Sequence, residues 1–170
     1  MRQAVAAFIL PIILVVIAAC GDGGSAEPTG RIGFGSNRTG TVGLFVMNGD
    51  GSGQTRLTDD PEFDSNPTWS PDGTMIAFDS FRTGRAQVYV MNADGSDVRQ
   101  LTFECDSSFG PVWSPDGGWI AFTRVLREET VDGGIQDNQE IFIARPDGSD
   151  ELRLTDEPSP DIVYTWFSGQ

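Results

Sequence analysis

Short apolar runs, each closed by a cluster of turn-forming residues, alternate along most of the chain. Between Pro67 and Thr102, two of them, Met75-Ile76-Ala77-Phe78 and Val88-Tyr89-Val90-Met91, are apolar throughout. That is the pattern of strands covered on both faces rather than on one. Pro67 to Ser70 and Val98 to Thr102 are more mixed and flank them as first and fourth strands. The punctuation between the runs is turn chemistry. In Pro71-Asp72-Gly73 the proline presets φ at about −65°, the aspartate accepts nearby backbone N–H groups and the glycine takes the left-handed conformation. Arg82-Thr83-Gly84 and Asn92-Ala93-Asp94-Gly95-Ser96 supply the next two reversals. The pattern predicts a four-stranded meander that grows more polar toward its last strand, as a propeller blade does from axis to rim.

The unit repeats. Trp69 and Trp113, Asp72 and Asp116, Ile76 and Ile120, and Phe78 and Phe122 each lie 44 positions apart. So do Ser36 and Ser80, Arg38 and Arg82, Asp50 and Asp94, and Leu57 and Leu101. Later in the third copy the spacing becomes 53, for Asp94 and Asp147, Ser96 and Ser149, and Leu101 and Leu154. The nine added residues fall between Phe122 and Ile141, in what reads as the loop joining second and third strands. Self-similarity at this period is the signature of a repeat architecture. The copies run 31–66, 67–110 and 111–163, with a terminal strand at 164–168.

The first copy opens at Arg31 with the equivalent of a second strand, and no first strand precedes it. Tyr164-Thr165-Trp166-Phe167-Ser168 reads as a first strand with nothing after it, and Trp166 stands 53 positions beyond Trp113. The two ends are therefore complementary. Three blades is fewer than the usual four to eight. Three explanations stay open: a truncated piece of a longer, six-bladed protein; self-association, with a second copy completing the ring; or an open array with unpaired strand edges.

Trp-Ser-Pro-Asp-Gly at 69–73 and 113–117, then Ile-Ala-Phe, then Met-Asn-x-Asp-Gly-Ser at 47–52 and 91–96, then Leu-Thr, resembles the WD-like β-propeller repeat of the TolB family. The resemblance covers roughly residues 31–166 and implies an all-β chain, a β-propeller of TolB type with about three blades encoded. It assigns structural roles to Trp69, Pro71, Asp72, Gly73, Asp94, Gly95, Trp113, Pro115, Asp116, Gly117, Asp147 and Gly148. It implies a non-catalytic platform for protein–protein interaction in the periplasm, beside the Tol-Pal envelope-maintenance system. Two alternatives remain: an accessory propeller fragment of a prolyl-oligopeptidase-like peptidase, and a propeller that binds a glycan or small ligand.

Residues 1–19 read as an export signal. Arg2 gives a positive start and Ala4 to Ala19 is an uncharged apolar run of 16 residues, too short for an ordinary membrane span. Ile17-Ala18-Ala19-Cys20-Gly21 resembles a bacterial lipobox, which implies cleavage before Cys20 and lipidation of its thiol. Attachment by two or more acyl chains would anchor the protein stably to a membrane. Residues 20–30 then form a Gly- and Ser-bearing tether. The expected location is the bacterial cell envelope, lipid-anchored, which departs from soluble TolB.

Composition narrows the chemistry. The 170 residues carry 25 acidic and 11 basic side chains, every basic one an arginine, for a net charge of −14. Such a surface argues against nucleic-acid partners. The chain holds no His, which removes Ser-His-Asp and Cys-His catalysis and His-based metal sites. It holds no Lys and no Gly-x-Ser-x-Gly elbow, so neither a phosphate loop nor a hydrolase nucleophile is present. No enzyme activity and no cofactor are expected.

Asn48, Asp50, Ser52, Gly53 and Asp59 match positions of a calcium loop, yet their flanks read as strands, and the second copy has Asp97 where the loop needs Gly; turns fit better than a metal site. Asp72 and Asp116 occupy equivalent positions of neighbouring blades and read as turn-makers rather than as an acid–base pair. Trp69, Trp113 and Trp166 read as packing between blades. With Cys20 lipidated, Cys105 is the one remaining thiol. The insertion, with Arg127, Glu128, Glu129, Asp132 and Asp137, is the candidate partner loop, since loops on rigid scaffolds often carry binding.

Overall fold

The computed structural model describes residues 29–59, 62–103, 106–129 and 133–169, so Cys20, Cys105 and Asp132 lie outside the described residues. Three antiparallel sheets follow one another along the chain. The first contains β1 (Arg31–Ser36), β2 (Gly43–Asn48) and β3 (Thr55–Arg56) in that order. The second contains β4 (Asp64–Trp69), β5 (Met75–Ser80), β6 (Gln87–Asn92) and β7 (Arg99–Gln100), and the third β8 (Ser108–Trp113), β9 (Ile120–Glu129), β10 (Ile135–Ala144) and β11 (Leu152–Arg153). Each sheet is a meander in sequence order. The fold is an all-β partial propeller of three blades without a closed ring.

The core lies between the sheets. Leu44, Ile76, Phe78, Tyr89 and Met91 form one buried cluster between blades one and two, with Leu57 and Trp69 against it. Ala77, Val88, Val90, Leu101, Trp113, Ile120, Phe122 and Phe142 form another between blades two and three. This is why β5 and β6 read as apolar on both faces: one face meets the preceding blade and the other the next.

Three further contacts recur in each blade. An aromatic pair crosses the two middle strands: Phe34 with Phe45, Phe78 with Tyr89, and Phe122 with Phe142, at centroid separations of 5.7, 5.8 and 6.0 Å. A guanidinium covers each pair, with Arg38 at 4.7 Å from Phe45, Arg82 at 4.6 Å from Tyr89 and Arg124 at 4.5 Å from Phe142. Such stacks add cation–π attraction to the apolar burial. Finally, a threonine hydroxyl closing each blade accepts an N–H of the third strand at equivalent repeat positions: Thr58 from Leu44, Thr102 from Val88 and Thr155 from Ile141, at 3.0, 3.0 and 2.9 Å.

Three expectations change. The first strand begins three residues earlier than Pro67, at Asp64, and bulges at Asn66, which takes a left-handed φ of 51°. Asp64-Ser65-Asn66-Pro67 is polar enough to read as a turn, yet Asp64 is fully buried against Arg82. The insertion does not enter simply as a loop. It lengthens β9 and β10 into a continuous ladder, pairing Leu126 with Asn138, Arg127 with Asp137, Glu128 with Gln136 and Glu129 with Ile135. The segment 164–168, expected as a strand, pairs with no other strand among the described residues.

Thr102 both accepts from Val88 N and donates to Gln87 Oε1 at 2.6 Å, with no exposure to water. Thr102→Val keeps the shape but removes the acceptor of Val88 N and the hydroxyl that donates to Gln87 Oε1, so it should cost about 1–3 kcal/mol in urea unfolding. An unchanged midpoint would show that the closing threonine contributes nothing.

Candidate functional site

The meander sorts the connections onto two ends of the blades. First-to-second and third-to-fourth strand turns lie at one end; second-to-third turns and the links between blades lie at the other.

The first end is a row of aspartate turns. Asp72 Oδ1 accepts from Ser70 Oγ, Thr74 N and Thr74 Oγ1 at 2.6, 3.0 and 2.9 Å, and Ser70 Oγ in turn accepts from Met75 N at 2.9 Å. Asp116 repeats this with Ser114 Oγ and Gly118 N. Asp50, Asp94 and Asp147 each accept both the N–H and the hydroxyl of the serine two residues on. These hydrogen bonds, the serine hydroxyls foremost, hold all five carboxyls below the usual range. Gly73, Gly95, Gly117 and Gly148 follow in left-handed conformation, at φ from 72° to 89°. The sequence placed these residues at turns, and the structure puts them there. Their carboxylates face their own turns, and no group of three His, Cys, Asp or Glu side chains converges on a common point among the described residues.

Trp113 sits at the seam between blades two and three, where its Nε1 donates to Thr68 O at 3.2 Å. Trp69 holds the equivalent place between blades one and two, beneath the guanidinium of Arg31. Trp69 and Trp113 pack between blades, as their spacing indicated, whereas Trp166 lies half-buried beside Trp119 of blade three, with no following blade against it among the described residues. Pro71 and Pro115 precede the aspartates in the same turns.

The second end carries the distinctive surface. β9 and β10 run past the rest of their blade as a two-stranded hairpin. Arg127 and Asp137 face each other across it at 3.8 Å, both about two-thirds exposed, and Ile135 is 73 % exposed. Glu128 and Glu129 occupy the adjacent rungs; Asp132 lies outside the described residues. The hairpin root is a buried polar knot. Glu140 takes hydrogen bonds from Thr155 Oγ1, from Asn138 Nδ2 at 2.9 Å and from Glu157 N at 3.2 Å, and pairs with Arg153 at 3.1 Å. Burial raises its carboxyl, but the Thr155 hydroxyl and Arg153 outweigh that and leave it lowered. Phe63 and Phe81 meet edge-on at 5.8 Å at this same end, and Phe103, in the link between blades two and three, is 73 % exposed.

Two groups escaped the sequence reading. Asp79 is buried in β5, where Oδ2 accepts from Asn66 Nδ2 at 2.7 Å and Oδ1 from Gly110 N at 2.9 Å across the blade seam. Desolvation outweighs these bonds and pushes its carboxyl up to about 6. The visible signal was a lone acid ending the apolar run Met75-Ile76-Ala77-Phe78. Arg124 is the other. The repeat places Leu126 where Arg82 stands, but Arg124 supplies the guanidinium and pairs with Glu151 at 2.6 Å.

The family model described as the TolB beta propeller domain matches residues 25–132, more than half of the chain. The chain belongs to the TolB β-propeller domain family. Among solved structures, a protein from Agrobacterium tumefaciens assigned as TolB is 25% identical with a TM-score of 0.61, over 72% of this chain and 44% of that one. TolB from Acinetobacter baumannii is 24% identical with a TM-score of 0.59, over 76% of this chain and 31% of that one. An oligogalacturonate lyase in complex with manganese shares the fold at 19% identity and a TM-score of 0.54, over 69% of this chain and 31% of that one. The chain therefore spans less than half the length of these TolB-fold relatives. Comparison with curated proteins finds no match.

Asp79 gives this TolB-family chain a defined pH dependence. Its carboxyl titrates near 3.8 when unfolded and near 6 when folded. Between those values the folded state keeps a proton that the unfolded state has lost, so stability falls as pH rises through the window and levels above it. Relative to Asp79→Asn, the native protein should lose about 2 kcal/mol between pH 4 and 6.5. The measurement is urea unfolding of both proteins across that range, and parallel pH profiles would contradict the assignment.

Proposed function

We propose that this chain is a non-catalytic, lipid-anchored platform of the bacterial cell envelope, which binds a protein partner through the hairpin end of its blades. The extended β9–β10 hairpin carries the reading. It is a rigid ladder rather than a loose loop, it presents exposed Ile135 beside the Arg127–Asp137 pair, and it shares its end of the blades with exposed Phe103. An apolar residue ringed by charges, held on a preorganised strand pair, lowers the ordering cost of binding. The hairpin also offers strand edges to which an extended peptide can add. The opposite end has its aspartates engaged in their own turns and offers a partner less. The chain binds no nucleic acid in this reading, consistent with its charge of −14.

Membership of the TolB propeller family supports the platform role. The sequence Ala18-Ala19-Cys20-Gly21 supports the anchor, with Cys20 as the lipidated residue.

Two experiments test the two halves. A photo-crosslinking amino acid placed at Ile135 should give a discrete protein adduct in the envelope, and one placed at Gly117, in an aspartate turn, should not. Equal adducts from both ends would defeat the hairpin assignment. Labelling with a radioactive fatty acid should mark the native chain and fail with Cys20→Ser; labelling that survives that change would remove the anchor.

A further inference from the structure

The edge of β1 is built like the corresponding edges of β5 and β9, but no strand covers it among the described residues. β4 pairs with β5 and β8 with β9, whereas among the described residues β1 pairs with β2 alone. Exposure reports the difference: Ile32 is 43% exposed, while Ile76 and Ile120, at the same repeat position, are at 0%. A polar atom reports it too. Trp113 Nε1 donates to the carbonyl of Thr68 in the preceding blade's inner strand, but Trp69 Nε1, one repeat earlier, is buried with no acceptor among the described residues. A buried donor without a partner is rare and costly. The acceptor it lacks is the carbonyl that an inner strand on β1 would bring.

The counterpart lies at the other end of the arc. Asp161 N donates to Gln139 O at 2.6 Å, as Ser108 N does to Ala86 O at 2.9 Å and Asp64 N to Val42 O at 3.1 Å. Val163 N donates to Thr123 Oγ1 at 3.2 Å, as Gly110 N does to Asp79 Oδ1 at 2.9 Å. Residues 161–166 are thus docked on blade three in the way that every inner strand is docked on the blade before it. The repeat aligns Asp161 with Asp64, Thr165 with Thr68 and Trp166 with Trp69. This segment nevertheless forms no ladder among the described residues, and Tyr164 and Phe167 are 82% and 77% exposed.

We propose that a second copy of this chain fills the gap: its residues 161–166 add antiparallel to β1, reciprocally, and two copies close a ring of six blades. The β4–β5 register sets the pairing. It places Asp161 of the partner copy opposite Ser36, Ile162 opposite Gly35, Thr165 opposite Gly33 and Trp166 opposite Ile32. The carbonyl of Thr165 of the partner copy then receives the Trp69 N–H. The contact is the same on both copies, as two-fold symmetry requires, and it removes both open edges. The segment of the same chain in repeat register with β4 is a poor substitute. It reads Cys20-Gly21-Asp22-Gly23-Gly24-Ser25, with no tryptophan and no β-branched residue to cover the edge.

The test uses the full chain in detergent with Cys20→Ser and Cys105→Ser. Gly35→Cys and Ile162→Cys are made in separate chains and co-expressed, so that any disulfide between them joins two copies. Mild oxidation should give a covalent dimer of twice 18.4 kDa from this pair, several-fold more than from Gly35→Cys with Phe167→Cys. Neither single variant alone should give it. Light scattering should report a dimer for the native chain and a monomer for Trp166→Ala, with a cooperative melt retained. A monomeric native chain, or crosslinking indifferent to the position of the second cysteine, overturns the proposal.

Discussion

Each inner strand serves two blades at once, and the rest of the structure depends on that double attachment. β8 forms a ladder with β9 in its own blade, yet Ser108 N and Gly110 N donate back to Ala86 O and Asp79 Oδ1 of the blade before. Trp113 completes the seam through Thr68 O. The apolar clusters lie between these sheets, so no blade buries its own faces alone. Stability is then a sum of neighbour contacts, as in other repeat arrays. A blade with an unfilled inner position loses the seam as well as a strand.

The seams also explain why a carboxyl is tolerated in the core. Asp79 receives the N–H that Gly110 exposes at a bulge with a φ of 67°, where ladder pairing is interrupted. A bulge leaves a backbone donor without a rung, and something must accept it. Blade three uses the hydroxyl of Thr123 for the same task and avoids burying a charge. Blade one has Gly35 there, with no side chain at all. Asp79 and Thr123 thus serve one geometry with two chemistries, and of the two only the aspartate makes its seam sensitive to pH.

Much of this was legible in the sequence because the turns are chemically strict. The spacing of Trp69 and Trp113, and of the Asp-Gly pairs, gave the blades, their order and the interblade place of the tryptophans. The failures have physical causes. The first strand reads as starting at Pro67 rather than Asp64 because an inner strand is held by seam hydrogen bonds and buried polar pairs, and it needs little apolar content. The insertion looked like a loop because Arg127 to Asn138 is acidic and bears glycines, whereas cross-strand pairs such as Arg127 with Asp137 let charged residues sit in an exposed ladder. Arg124 was missed because a constant offset assumes that equivalent contacts come from equivalent positions. β9 continues where β5 ends in a turn, so Leu126 stays in the strand and the guanidinium arrives from two residues earlier.

An unfilled strand edge must be either defended or occupied. Natural sheets defend edges with lysines, prolines, inward charges or bulges. β1 reads Arg31-Ile32-Gly33-Phe34-Gly35-Ser36, with no proline, no acid and its single charge at the outermost position. Its register with β2 is regular throughout, so no bulge turns the edge away. What opposes indiscriminate pairing here is the net charge of −14, which acts on all approaches alike. Selection of one occupant then falls to local features, and those at β1 are specific: a tryptophan donor awaiting a carbonyl, an exposed isoleucine, and two glycines that let a backbone come close. A segment carrying Thr165 and Trp166 in repeat register meets all of them, and an arbitrary strand meets none beyond the ladder.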